Sequence, residues 1–497
     1  MEFGSLLFIF LFLPFVLFFS ILLRRKLKKY FLVCAGFLFY FFGMGAFIFV
    51  LLFSIGLNYT LGILISVSKN ERRSRLILTA GIVLNAMLLI YYKYSVFLLT
   101  NIGSLFNIRT GELQQYLPGS IPVGISFFTF VAVSYLVDIH RDRGLVLKDP
   151  IDTAFTFSFF PKVFSGPITF HHKFIAELRG NSVRPLFESG VKRFVYGLGK
   201  KFLVANTLAV SVDAIFRIPR GDLTFGLAWT GVLLFTLQIY IDFSGYTDMA
   251  IGLGNMLGFN IPENFNFPYI STSIKDFWKR WHITLSNWLQ LYIFLPVAYK
   301  VMRSVRSDRK FGIRVEDLAY FTASFITMLL CGIWHGAEWT FVVWGLWHGF
   351  FLILEHWKLG KFLRKKLWKP LRIVYALFIV VAGWGLFRSP DIAYASDLLG
   401  AMSGFGAGSG TRYFAAQYVN IETVLAIIAG IIISFPVNNW IRERMSACSG
   451  PDKTGKVSAS VVVLREFFSL LLFTCVLIAS ILAIIGGSYS PFIYFGF

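Results

Sequence analysis

Long apolar runs separated by short polar connections recur from one end of this chain to the other. Runs at residues 5–23, 76–92, 121–137, 223–243, 374–387, 422–436 and 467–485 each approach the roughly 20 residues that a helix needs to cross hydrocarbon. Where water is absent, a helix satisfies all its own backbone groups. The pattern therefore predicts an all-α, polytopic membrane protein of about 11 or more helices. The run at 5–23 has its positive charges after it and not before it, which reads as a retained first helix and not as a cleavable leader.

The middle third departs from this regularity. Between residues 149 and 314 the runs are broken by Pro, Gly and charge, as in Phe159-Phe-Pro-Lys162 and Gly197-Leu-Gly-Lys200. Broken helices at membrane depth are tolerated where protein or a water-filled cavity surrounds them, so a functional cavity is expected here. Residues 260–295 begin as a loop and then change period. Ser273 with Asp276 forms a capping signal, Phe277, Trp281, Leu285, Trp288 and Tyr292 fall on one side at helical spacing, and Lys275, Lys279 and Arg280 flank them. That predicts an amphipathic helix lying along the cytoplasmic interface.

Composition agrees with the membrane reading: 56% of the 497 residues are hydrophobic and 15% charged, against about 45–50% and 25% in soluble domains. The net charge of +21 would suit nucleic acid, but its placement argues against that partner. The basic residues cluster at 24–29, 69–75, 300–314 and 358–372, in short connections between runs. The bias of such loops toward the cytoplasm assigns them to that side, whereas the cation-poor connections 101–118 and 389–420 read as outside loops. Counting from these anchors puts both termini outside, in an inner (cytoplasmic) membrane. No stretch is polar enough for a separate soluble domain and no repeat is visible, so residues 1–497 read as one membrane domain with its core at about 120–356. Cys34, Cys331, Cys448 and Cys475 have neither metal-ligand nor framework spacing and read as free thiols.

Seven histidines are candidates for chemistry. His140, His171 and His172 lie beside cations in connections, and His356 follows Glu355 at a helix end; solvation or a dipole contact accounts for each. His348, deep in an apolar run, is open between packing and function. His335 sits in Cys331-Gly-Ile-Trp-His-Gly-Ala-Glu-Trp339 at the boundary of two apolar runs. An ionisable group there is costly, so function is the default reading. A neutral imidazole can take a proton from a hydroxyl; the alternative is a packing histidine held by a carbonyl. Gly332 and Gly336 leave room for close approach to it. His282 turns toward the apolar stripe of its helix and is open between structural and functional roles. No His-Glu-x-x-His or paired-cysteine pattern supports a metal, and no Gly-x-Ser-x-Gly elbow, Walker sequence or dinucleotide glycine fingerprint occurs.

Six ordered motifs carry a family resemblance. They are Val123-Gly-Ile-Ser-Phe-Phe-Thr-Phe130, Phe159-Phe-Pro-Lys-Val-Phe-Ser-Gly-Pro-Ile168, Asp242-Phe-Ser-Gly-Tyr-Thr-Asp-Met-Ala-Ile-Gly252, Pro262-Glu-Asn-Phe-Asn-Phe-Pro-Tyr269, Phe277-Trp-Lys-Arg-Trp-His-Ile-Thr-Leu-Ser286 and Gly332-Ile-Trp-His-Gly336, with a similar tail at 490–495. Together they resemble the membrane-bound O-acyltransferases (MBOAT), nearest to the bacterial alginate O-acetyltransferase AlgI subgroup, with DltB more distant.

The resemblance implies that His335 is the essential catalytic histidine and His282 the second signature polar position. It makes Trp278, Lys279, Arg280, Trp281, Trp334, Asp242 and Asn266 candidates for lining the donor path or cavity. It also implies acetyl-CoA, a cytoplasmic acyl-CoA, as donor substrate with no bound cofactor, and a separate extracytoplasmic SGNH-type partner or glycan acceptor. The expected activity is acetyl transfer across the membrane to a polysaccharide or cell-wall hydroxyl. A long-chain lipid or protein O-acyltransferase of the same superfamily, or a transporter with broken helices, remain alternatives. Where relatives carry an Arg-Asp pair after the tryptophan helix this chain has Gln290 and Leu291, followed by Leu295-Pro-Val-Ala298 in place of the relatives' apolar-Pro-Leu-Gly-Gly stretch. The departure bears on the donor entrance or a partner contact.

Overall fold

A computed structural model describes residues 1–179, 186–305, 307–310, 312–406, 408, 410–437 and 459–487. Cys448 and the 490–495 tail lie outside the described residues. Helices dominate; the strands among the described residues are the two-residue pairs Arg309–Lys310 and Ile313–Arg314. Six helical stretches are long and apolar enough to cross a bilayer, and large apolar side chains such as Phe10, Phe15, Phe18, Phe467 and Leu470 remain exposed along the flanks. In water that surface would be untenable; facing lipid, it is the expected exterior.

The helices that position the site are α1 (Glu71–Leu89), α2 (Ile125–Arg141), α3 (Phe225–Leu257), α4 (Ile274–Trp278), α5 (Ile283–Leu289), α6 (Val315–His335), α7 (Trp339–Leu354) and α8 (Lys369–Arg388). Local chemistry sets their starts. Asn70 accepts from Arg72 N and Arg73 N ahead of α1, and Thr224 accepts from Leu227 N ahead of α3.

The basic connections gather at one end of the bundle. Lys28 donates to the Leu257 carbonyl (2.9 Å), Lys29 bridges Asp149 and Asp152 (2.8 and 2.6 Å), Ser74 meets His140 (2.9 Å), and His356 meets Asp317 (3.0 Å). The hydrogen bond from Lys29 holds the Asp149 carboxyl below its ordinary pKa. At the opposite end Trp339 Nε1 donates to Asn101 Oδ1 (2.9 Å) and Arg388 pairs with Asp213 (2.7 Å).

The interruptions of the middle third are enclosed by protein. After the helix Pro150–Ser158, residues 159–169 run as a buried connection in which Lys162 Nζ donates to Thr169 Oγ1 at 2.7 Å. Between α3 and α5 the structure corrects the expectation of one interfacial amphipathic helix. The helix breaks after one turn, and His282 takes the left-handed conformation (φ 43°, ψ 53°). The cause is the preceding loop. Asn266 N donates to the Arg280 carbonyl and Ile283 N to the Asn264 carbonyl, both at 2.9 Å, so extended backbone takes over bonds that a continuous helix would make. Phe277, Trp281, Leu285 and Trp288 are therefore buried in the core and not spread along an interface.

Candidate functional site

His335 is the last residue of α6, where the helix leaves its final carbonyls without intrahelical partners. Those carbonyls are met by α1's continuation, a π-turn at Ile90–Tyr94. Lys93 Nζ donates to the carbonyls of Trp334 (2.6 Å) and His335 (3.1 Å), and Tyr94 Oη donates to that of Ile333 (2.6 Å). A cation at a helix C-terminus also opposes the macrodipole.

The glycines beside His335 serve helix packing. A Cβ on Gly332 would lie 2.4 Å from the Phe341 carbonyl oxygen, and one on Gly345 2.3 Å from that of Met328, so α6 and α7 touch backbone to backbone. This close crossing holds the imidazole, 3% exposed, against Trp334 (4.7 Å between ring centres), Trp344 (4.8 Å) and Phe387 (5.3 Å).

One side of His335 faces a small recess, lined among others by Lys93, Gly124, Ser126, Ser165 and Trp334. Gly124, with φ +88°, opens α2 there, and a Cβ on it would lie 2.4 Å from the Val163 carbonyl. The recess thus lies toward the end of the bundle opposite the basic connections.

His282 is fully buried and meets the same tryptophan, its ring centre 6.3 Å from Trp334 and 4.7 Å from Phe243. The broken helix carries His282 inward, so the two histidines share this tryptophan. Asn264 orients it: Oδ1 lies 3.1 Å from His282 Nδ1 and also accepts from Thr284 N (3.2 Å) and Thr284 Oγ1 (2.8 Å). An accepting carbonyl oxygen there places the proton on Nδ1 and the lone pair on Nε2.

Trp278 and Trp281 join this interior. Trp281 stacks on Phe277 (5.6 Å, 14°), and Trp278 stands perpendicular to His348 (5.4 Å, 83°). His348 is fully buried, lies parallel to Phe277 (6.0 Å, 13°) and touches Trp344 (5.1 Å), which connects it to His335. Among the described residues neither ring nitrogen of His348, nor Nε1 of Trp278, Trp334, Trp344 or Trp384, has a hydrogen-bond partner. Buried polar atoms are normally matched, which sets this cluster apart from an ordinary packed core.

Other candidates stand apart. Lys279 is exposed, as is Asn266; the asparagine that reaches the interior is Asn264. Arg280 pairs with Asp276 (2.9 Å) and donates to the Asn266 carbonyl (3.2 Å). Asp242 is in a buried ion pair with Lys201 (2.7 Å). Among the described residues no three His, Cys, Asp or Glu side chains gather as metal ligands. Reading the sequence missed Lys93 and Asn264. Lys93 carried a signal, a lone cation next to the apolar run at 76–92.

Buried imidazoles, broken helices enclosed by spans and a recess beside a helix end define a polytopic membrane protein with a polar interior. Residues 125–387 match the model of MBOAT, the membrane-bound O-acyltransferase family, and the chain belongs to that family. It is 32% identical to a probable alginate O-acetylase AlgI of Pseudomonas putida, with 100% of both chains covered. It is also 32% identical to a peptidoglycan O-acetyltransferase of Helicobacter pylori, over 82% of this chain and 80% of that one. A teichoic acid D-alanyltransferase of Bacillus subtilis is more distant, 29% identical over 53% of this chain and 68% of its own.

Proposed function

We propose that the protein is a membrane O-acetyltransferase that takes acetyl from acetyl-CoA and passes it to a hydroxyl of an extracytoplasmic polysaccharide or cell-wall acceptor, or to a serine of an SGNH-type partner. The observation that carries the reading is the place of His335, between the recess on one side and the Trp344–His348 cluster on the other. The names of the alginate and peptidoglycan relatives favour acetyl and a glycan acceptor.

In this reading the basic end faces the cytoplasm, consistent with the charge bias of its connections. The donor's thioester arm enters along the seam of α4 and α7, where the unmatched nitrogens of Trp278, Trp344 and His348 meet its amide and carbonyl groups. The acceptor hydroxyl comes through the recess. His335 removes its proton as oxygen attacks the thioester carbon, and returns that proton to the leaving thiolate. His282 orients the donor.

The test uses purified protein in lipid with acetyl-CoA, read as coenzyme A release and acetyl on added polysaccharide. His335→Ala should abolish both while expression and insertion are retained. Transfer at the wild-type rate by that variant would overturn the reading, and faster turnover of a long-chain acyl-CoA would replace acetyl as the donor group.

A further inference from the structure

We propose that Lys93 supplies the positive charge that stabilises the oxyanion formed during transfer at His335. The proposal rests on the acetyl-transfer reading and adds a group to that site. It starts from the way the end of α6 is closed. Helix C-termini are ordinarily closed by backbone N–H groups, often with a glycine in the left-handed conformation. Here Gly336 is extended (φ −166°), and a lysine brought from a distant helix closes the end instead.

Burying an ammonium costs several kcal/mol. Lys93 is 7% exposed, and its stem runs through the interior to reach the Trp334 and His335 carbonyls. Two of the three ammonium N–H groups are used there. The ammonium also lies 5.7 Å from the centre of the Trp334 ring, a contact that favours a cation. Lys93 and His335 line the same recess, together with the start of α2, whose first N–H groups add partial positive charge. A base beside a lysine held in place by two carbonyls is an arrangement suited to acyl transfer, where negative charge develops.

The step balances. The acceptor oxygen forms a bond to the thioester carbon and its proton passes to His335; the carbonyl π pair moves to oxygen, beside the third N–H of Lys93. When the carbonyl reforms, the C–S bond breaks and the thiolate takes the proton back. Nothing is oxidised or reduced, and acetyl ester and free thiol are the products.

The test compares Lys93→Gln, whose amide can still donate to the two carbonyls, with Lys93→Arg, which keeps the charge. Gln should lower kcat by about a hundredfold or more with the donor KM unchanged, and Arg should retain more of it. A Gln variant with wild-type kcat in a preparation where His335→Ala is inactive overturns the proposal and leaves the acetyl-transfer reading standing. Acetyl transfer that survives loss of His335 sinks that reading first. If Lys93→Gln does not accumulate, wild-type protein decides the matter through methylphosphonate, a tetrahedral anion of acetyl size. Inhibition in competition with the acceptor supports the proposal, and no inhibition overturns it.

Discussion

His282 Nδ1 lies 3.1 Å from Oδ1 of Asn264, eighteen residues earlier in the chain. One asparagine oxygen thereby holds the imidazole and both donors of Thr284. Asn264→Ala removes the acceptor shared by Thr284 N, Thr284 Oγ1 and His282 Nδ1, and a buried donor left unmatched costs about 1–3 kcal/mol. The variant should melt well below wild type in detergent, and acetyl transfer measured below its melting temperature should fall because the His282 ring is released. Unchanged melting would mean that the loop has other support.

His348 makes an opposite prediction. Its ring stacks on Phe277, yet neither nitrogen has a partner among the described residues. His348→Phe keeps a flat ring of similar size and removes the unmatched atoms, which tends to be neutral or stabilising. Melting should stay level or rise, while the KM for acetyl-CoA should increase if those nitrogens meet the donor. A variant with raised stability and unchanged KM would reduce His348 to packing.

How much of this was legible before the structure depended on range. Spans such as α3 and α8 follow from local apolar runs, because a helix in lipid needs only its own residues. His335 was legible for a similar reason, as an ionisable group where two apolar runs meet. Lys93 stands out equally in sequence, but its meaning comes from α6, more than two hundred residues away. The amphipathic period from Phe277 to Tyr292 is real and still misled. Its aromatics are buried, but the register passes through a break imposed by backbone bonds from residues 264 and 266, which no periodicity records. That break is also why Asn264 and not Asn266 reaches the interior.

The α6–α7 crossing is sensitive to single methyl groups. Alanine at Gly345 places a Cβ 2.3 Å from a main-chain oxygen, and only separation of the two helices relieves it. Overpacking of this kind costs about 1–3 kcal/mol. Gly345→Ala should lower melting and transfer together, since His335 ends one of the helices displaced. Gly226→Ala, where nothing lies within 4 Å, is the control and should change neither.

The buried Lys201–Asp242 pair separates a structural role from a functional one. The two side chains are 7% and 2% exposed, and their charges lie 2.7 Å apart. Removing one member of a buried ion pair costs about 3–5 kcal/mol, whereas replacing both with apolar groups is often neutral. Asp242→Asn should therefore fail to accumulate or should melt far below wild type. The double substitution Lys201→Met with Asp242→Leu should recover much of that loss. If it also restores acetyl transfer, Asp242 acts only through the scaffold beside Phe243 and His282. Recovered melting without recovered transfer would place the carboxylate in the chemistry, and a double variant as unstable as the single one would refute the pairing argument.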